Sequence, residues 1–463
     1  MFVSKIPLAP AVPVDGLPTP QRLQAILAIS AAIGMATLDT AITNTALPTI
    51  AADMGASAAD SIWVVSSYQI AVVAALLPFA SLGDILGHKR VYLAGLALFT
   101  LTSLACGLAW SLPSLVVARA LQGLGAAAIM SVNTALIRYS YPARILGRGL
   151  GQNAMTVAVC FTIGPTVASG ILWVASWHWL FLINVPIGIA AILLSMRALP
   201  ETPRSGHRFA ALPALLSAGF FTLLVLGIGE MAHQGAWWLV AAEIVGALIC
   251  AAILIRIEAG HPAPMLAVDL FKLPVFALSS LTSICSFSAQ GLAFVSLPFL
   301  FQTVLGHSQV ETGFLMTPWP AIVALMGPIA GRLVDKYPAG LLCGIGLVLL
   351  SFGMASAALL PAAPSTFDIV WRLALSGAGF GLFQSPNLKA IMTSAPASRA
   401  GGASGIVAAS RMVGQATGAA LVALCFHLFI GQGPAMALWL GSGFALIASI
   451  ASFLRLVVAP KAA

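Results

Sequence analysis

The chain has 463 residues, of which 60% are hydrophobic and only 7% are Asp, Glu, Lys or Arg, leaving a net charge of +8. So few charged side chains exclude an ordinary water-soluble fold. The basic residues form no continuous face, which excludes nucleic-acid binding as the source of the positive charge.

A helix needs about 20 apolar residues to cross a hydrocarbon core of about 30 Å. Fourteen segments meet that need, at roughly 23–48, 61–81, 91–109, 114–138, 149–172, 178–198, 210–230, 236–256, 275–304, 311–333, 340–360, 367–389, 402–430 and 434–456. Membrane strands would alternate over about ten residues. These runs are longer and apolar on both parities, so the sequence predicts an all-α polytopic membrane protein. Every second connection is basic: Lys89 and Arg90; Arg144 and Arg148; Arg204 and Arg208; Lys272; Lys336; Arg399. The others hold no Lys or Arg and carry Asp53, Asp60, His178, His233, His307 and Glu311. The positive-inside rule then places both termini in the cytoplasm and the chain in the cytoplasmic (inner) membrane. The first twenty residues are Pro-rich without an apolar core, so they read as a cytoplasmic tail rather than a signal peptide. Trp63, Trp110, Trp173, Trp177, Trp179, Trp237 and Trp238 sit near predicted span ends, as interfacial rings do. Six cysteines fall singly inside spans, with no spacing for a metal or a disulfide.

Along the chain, Asp39 is the first residue with chemistry to offer. An ionised carboxylate in hydrocarbon is costly, so Asp39 must take up a proton, find a cation or face water. At 1.5 Å per residue it lies about 13 Å below the outer surface, and Arg119 of the fourth span lies roughly 8–9 Å down. The two depths match within one helical turn, so Arg119 is the expected partner. Arg119, Gln122 and Asn133 recur at helical spacing and define a polar stripe, which should face protein or a water-filled cavity. Glu243, mid-depth in the eighth span, is expected to be protonated beside a structural partner. Ala80-Ser-Leu-Gly-Asp84 after the second span and Gly331-Arg-Leu-Val-Asp335 after the tenth form a weak repeat. It divides the chain into a tail (1–22), a six-helix bundle (23–198), two linker helices (199–272), a second six-helix bundle (273–456) and a C-terminal tail (457–463). Parallel six-helix repeats are a transporter architecture. Asn44, Gln122, Asn133, Trp319 (between Pro318 and Pro320) and Arg411 are the candidates for a substrate cavity.

The stretch Leu38-Asp39-Thr40-Ala-Ile-Thr-Asn44-Thr-Ala46-Leu47-Pro48, with Gly83-Asp84-Ile-Leu-Gly87-His-Lys89-Arg90, resembles the major facilitator superfamily. More narrowly, it is similar to the drug:proton antiporters with fourteen spans. Val117-Ala-Arg119-Ala-Leu-Gln122-Gly123-Leu-Gly125, Trp177-His-Trp179-Leu-Phe-Leu-Ile-Asn184-Val-Pro186-Ile-Gly188 and Arg411-Met-Val-Gly414-Gln-Ala-Thr-Gly418 extend the likeness over most of the chain. The resemblance implies proton coupling at Asp39 and Arg119, and a conformational latch of Asp84, Lys89, Arg90 and Asp335. It also implies a helix-packing antiporter motif at Gly164, Pro165 and Gly170. Ala80, Pro338, Cys160 and Ser169 depart from the family's glycines.

The reading is a proton-coupled efflux transporter for lipophilic or cationic drugs, working by alternating access. A transporter of one metabolite, or a non-transporting sensor, is the alternative. Its partners are a small-molecule substrate, protons and the bilayer, with a periplasmic adaptor left open. No cofactor is expected beyond the proton gradient, since no phosphate-binding loop, metal set or catalytic constellation occurs.

Overall fold

The computed structural model describes residues 16–142, 145–202, 204, 209–232, 236–258, 268–396 and 400–458. Arg144, Arg208, His233 and Arg399 of the charge pattern lie outside them, as do most of both predicted tails. The described residues are helical with no strand. The helices are α1 (Thr19–Asp53), α2 (Ala58–Leu86), α3 (His88–Gly107), α4 (Leu112–Ser140), α5 (Leu146–Val174), α6 (His178–Ala198) and α7 (Ala211–Ala232). They continue with α8 (Trp237–Glu258), α9 (Pro274–Val304), α10 (Gln309–Leu333), α11 (Ala339–Ala358), α12 (Thr366–Ser394), α13 (Ala400–Leu428) and α14 (Gly433–Val458). A short 3₁₀ turn at Val268–Lys272 precedes α9. Each long helix covers one predicted segment. Twelve of them are long and apolar enough to span a membrane. Among the described residues, α7 counts as an apolar helix over Ala211–Gly227, and α12 falls outside the twelve. In α12, Arg372, Gln384, Asn387 and Lys389 dilute the apolar run.

The aqueous helix ends explain the acidic residues at the end without Lys or Arg. Helices α2, α4, α10 and α12 start there, and each start is capped by a serine: Ser57, Ser111, Ser308 and Ser365. Each serine oxygen accepts from a first-turn backbone N–H that would otherwise lack a partner. Asp60, Glu311 and Asp368 add negative charge in three of those first turns, where the helix dipole favours it. Glu311 completes a capping box by accepting from the Ser308 N–H at 2.9 Å.

Packing follows the repeat. Helix α4 packs on α2 and α3, α1 on α5 and α6, and α3 on α6. In the second half, α9 packs on α12, α13 and α14, and α11 on α12 and α14. Helices α7 and α8 pack on each other, with α7 against α2 and α13. Small residues set the closest crossings. Gly346 of α11 and Gly379 of α12 face each other so closely that a Cβ on either would strike the partner's backbone. In a membrane such approach replaces the hydrophobic drive between helices.

Among the described residues, the hydrogen bonds that join α1 and α5 to α9 and α10 gather toward one end, while α2 and α13 pack through apolar contacts. Thr162 Oγ1 donates to the Pro320 carbonyl at 3.1 Å, Thr166 and Thr317 hydroxyls meet at 3.0 Å, and Ser169 Oγ donates to the Gln309 carbonyl at 3.0 Å. Gln302 Nε2 donates to the Thr45 carbonyl at 3.3 Å. These bonds climb toward the end poor in Lys and Arg. Among the described residues no hydrogen bond joins α5 to α10 on the basic side of Thr162.

Candidate functional site

Asp39 lies inside the first six helices with 1% of its surface exposed. Its partners come from α4 and α6. Arg119 of α4 donates from Nη1 to Asp39 Oδ2 at 2.5 Å. Gln122, three residues on and therefore on the same face, donates from Nε2 to Asp39 Oδ1 at 3.0 Å. Asn184 of α6 donates from Nδ2 to the same oxygen at 2.8 Å. Three donors thus converge on one carboxylate.

Arg119 is held just as tightly. Its Nε donates to the Val64 carbonyl of α2 at 3.1 Å, and Nη1 also reaches Gln122 Oε1 at 2.5 Å. The guanidinium lies 4.3 Å from the Tyr68 ring centroid and 5.5 Å from that of Phe181, both favourable to a cation. Ser103 of α3 receives the second Gln122 N–H at 2.8 Å. The result is a buried ion pair whose carboxylate accepts three hydrogen bonds. Such a pair adds little net stability, but removing one partner strands a buried charge at a cost of about 3–5 kcal/mol.

Depth counting therefore finds the Asp39–Arg119 pair, and the structure assigns Gln122 to the same cage rather than to an open cavity wall. Asn184, Ser103, Val64 and Tyr68 escape the polar-stripe reading. Asn184 had a signal, as the lone amide in an otherwise apolar stretch entering α6, whereas Tyr68 had none. The other cavity candidates stand apart. Asn133 bonds to Asn153 of α5 at 3.0 Å, fourteen residues along α4 from Arg119. Asn44 is 5% exposed, and its Oδ1 has no partner among the described residues. Trp319 is 1% exposed and packs edge-on against Phe294 at 5.4 Å, so in this state it lines no open space.

The latch residues do not pair with one another. Asp84, 66% exposed, meets His88 at 3.2 Å, and Lys89 meets Glu201 at 3.4 Å. Arg90 lines an apolar lateral groove with Phe79, Leu82 and Leu98. In the second copy Asp335 binds Lys389 of α12 at 2.6 Å. Of the α5 motif, Gly164 packs against Ala41 of α1 and Pro165 is buried, but Gly170 faces open space. Gly170 therefore makes no helix contact, because its Cβ direction points away from the bundle.

Two further arginines are enclosed without a carboxylate. Arg455 of α14 donates from Nη1 to Ser279 Oγ and Asn387 Oδ1, both at 2.8 Å, and from Nη2 to Ser452 Oγ. Arg411 of α13 has no such partners, and its buried Nε is unsatisfied.

A sequence profile of the Major Facilitator Superfamily matches residues 29–419. The uncharacterized transporter YebQ of Escherichia coli K12 is 51% identical over 96% of this chain and 98% of its own length. The riboflavin transporter RibZ of Clostridioides difficile is 30% identical over 88% of each chain. The multidrug resistance protein Stp of Mycobacterium tuberculosis CDC 1551 is 32% identical over 91% of this chain and 77% of its own. With its apolar helices, the profile match over most of its length and relatives such as YebQ, the chain belongs to the Major Facilitator Superfamily and is a multi-pass membrane transport protein.

Proposed function

We propose that this protein is a proton-coupled exporter of lipophilic compounds that alternates access between α1–α6 and α9–α14. The observation that carries the reading is the sealed Asp39–Arg119 cage. A carboxylate that holds α1 to α4 and α6 is a means of turning a proton into movement. Protonating Asp39 leaves Arg119 with the Val64 carbonyl, the Gln122 oxygen and two aromatic faces, and it weakens the grip on α1. Six residues further along α1, the Thr45 carbonyl meets Gln302 of the opposite half. A shift of α1 is therefore felt where the halves join.

The orientation belongs to the same proposal. With the Lys- and Arg-rich end in the cytoplasm, as the positive-inside rule requires, both termini are cytoplasmic. The hydrogen bonds between α5 and α10 then lie on the outer side, which supports an inward-facing state. Helices α7 and α12 complete fourteen spans. The exposed Asp84 is the disengaged form of a latch that closes when the cytoplasmic ends come together. Likeness to Stp supports export of drugs, while likeness to RibZ favours a second reading, movement of one metabolite of riboflavin's kind.

The test is efflux from cells lacking their own pumps, loaded with lipophilic dyes or with riboflavin, with and without a protonophore. The account expects efflux of at least one dye that stops with the protonophore and with Asp39→Asn. Riboflavin movement alone favours the second reading. Efflux indifferent to both treatments contradicts proton coupling.

A further inference from the structure

Helix α13 runs along the seam between the halves. Gly414 and Gly418 face α9, where a Cβ would meet Phe287 and Ser288. Gly405 faces Leu77 of α2, and Met412 and Ala416 are buried in the same cluster as Ile70, Val73 and Leu77. Arg411 and Gln415, one turn apart, occupy the sector between those two faces. They point into the space between α2 of one half and α9 of the other. Arg411 stands eleven residues into the twenty-nine of α13, about 16 Å from its start at 1.5 Å per residue. Gln415 Nε2 donates to Gln290 Oε1 of α9 at 3.2 Å.

The guanidinium of Arg411 has no hydrogen-bond or ion-pair partner among the described residues, and its buried Nε is unsatisfied. Yet the side chain keeps some accessible surface, as a group at a cleft wall does. The contrast with Arg119 and Arg455 is informative: where this fold uses a buried arginine to hold helices together, it supplies acceptors. An enclosed cation left without them is costly unless something else provides the anion. No side chain of the seam does so. The chain has thirteen acidic residues, and away from the helix ends of α1–α6 and α9–α14 the only one is Asp39, already occupied by Arg119. A cationic ligand between the halves would meet a bare guanidinium and no free carboxylate. Along α13, Leu77 meets Gly405 and Phe287 meets Gly414, so the faces flanking Arg411 are apolar.

We infer that the transported compound is an anionic amphiphile, a carboxylate on an apolar body, and that Arg411 receives the carboxylate through its forked N–H groups. The Gln415–Gln290 pair borders the head group. The inference rests on the exporter reading for placing the ligand on the transport path, and it sets the sign of charge which that path accepts, opposite to the cationic substrates expected from the sequence.

The experiment measures equilibrium binding of radiolabelled dodecanoate and dodecyltrimethylammonium to the full-length protein in nanodiscs of zwitterionic lipid, with empty discs subtracted. Wild type should bind dodecanoate saturably and more tightly than the cationic probe. Arg411→Gln should weaken dodecanoate binding by about tenfold or more, and Arg411→Lys, which keeps the charge but loses the fork, should weaken it less than Arg411→Gln does. Gln415→Glu, which leaves Arg411 in place but offers it an internal carboxylate one turn away, should compete with the ligand and weaken binding as strongly as Arg411→Gln. It also covers the case in which Arg411→Gln fails to fold. Wild-type preference for the cationic probe, no saturable dodecanoate binding, or wild-type affinity in Arg411→Gln or Gln415→Glu overturns the inference. Gradient-driven movement is read separately in vesicles. Arg411-dependent binding without any proton-driven movement sinks the exporter reading and leaves the site standing.

Discussion

Asp39 and Arg119 are each nearly inaccessible to solvent, so single substitutions should hurt more than paired ones. Arg119→Gln strands the Asp39 carboxylate and should cost about 3–5 kcal/mol, read as a lower melting temperature in detergent. The double variant Asp39→Asn, Arg119→Gln removes both charges and should recover part of that loss. A double variant less stable than Arg119→Gln alone would show that the pair is not held by its charges. Asn184→Ala removes one donor of three and should cost about 1–3 kcal/mol. The pair was legible in the sequence because charge inside hydrocarbon is rare and helix rise converts residue number into depth. Its surroundings were less so. Ser103 and Tyr68 are ordinary residues in apolar runs, and only the angle at which α2 and α3 meet α4 brings them to Gln122 and Arg119. Arg411 was visible as a deep charge, but its lack of a partner appears only in three dimensions.

Helix positions were legible almost to the turn, since the length of an apolar run fixes a span. The helices outrun those runs at the ends, as where α1 begins at Thr19 and takes in the polar Arg22, because the backbone stays hydrogen-bonded beyond the hydrocarbon. Crossing geometry was not legible. A Cβ on Gly379 meets the backbone of Gly346 and Leu350, whereas one on Gly443 of α14 meets nothing within 4 Å. Gly379→Ala should therefore cost about 1–3 kcal/mol through overpacking, while Gly443→Ala should be neutral or slightly stabilising. Thermal unfolding of the two variants separates them, and equal melting temperatures would contradict the α11–α12 contact. At the end of α2, Asp84→Asn removes an exposed anion whose contact in this state is His88. It should leave insertion and stability near normal while slowing transport, since the charge is needed in the opposite state. A wild-type transport rate would make Asp84 a bystander.

The whole molecule makes two claims that can be checked from outside. The first is orientation. In a background without the six native cysteines, Ser57→Cys should react with an impermeant thiol reagent added to intact cells, and Lys336→Cys should not. Both positions are exposed, which makes Lys336 a better reporter than the buried His88 of the α2–α3 connection. Strong labelling at 336 and none at 57 would invert the topology and with it the inward-facing assignment. The second claim is central: Asp39 is where the proton couples to transport. The direct measurement is proton release when a dye identified by the efflux assay is added to purified protein in weakly buffered detergent solution. Wild type should release protons in proportion to dye bound, and Asp39→Asn should bind the dye and release none. Equal release per dye bound by wild type and Asp39→Asn would contradict the account.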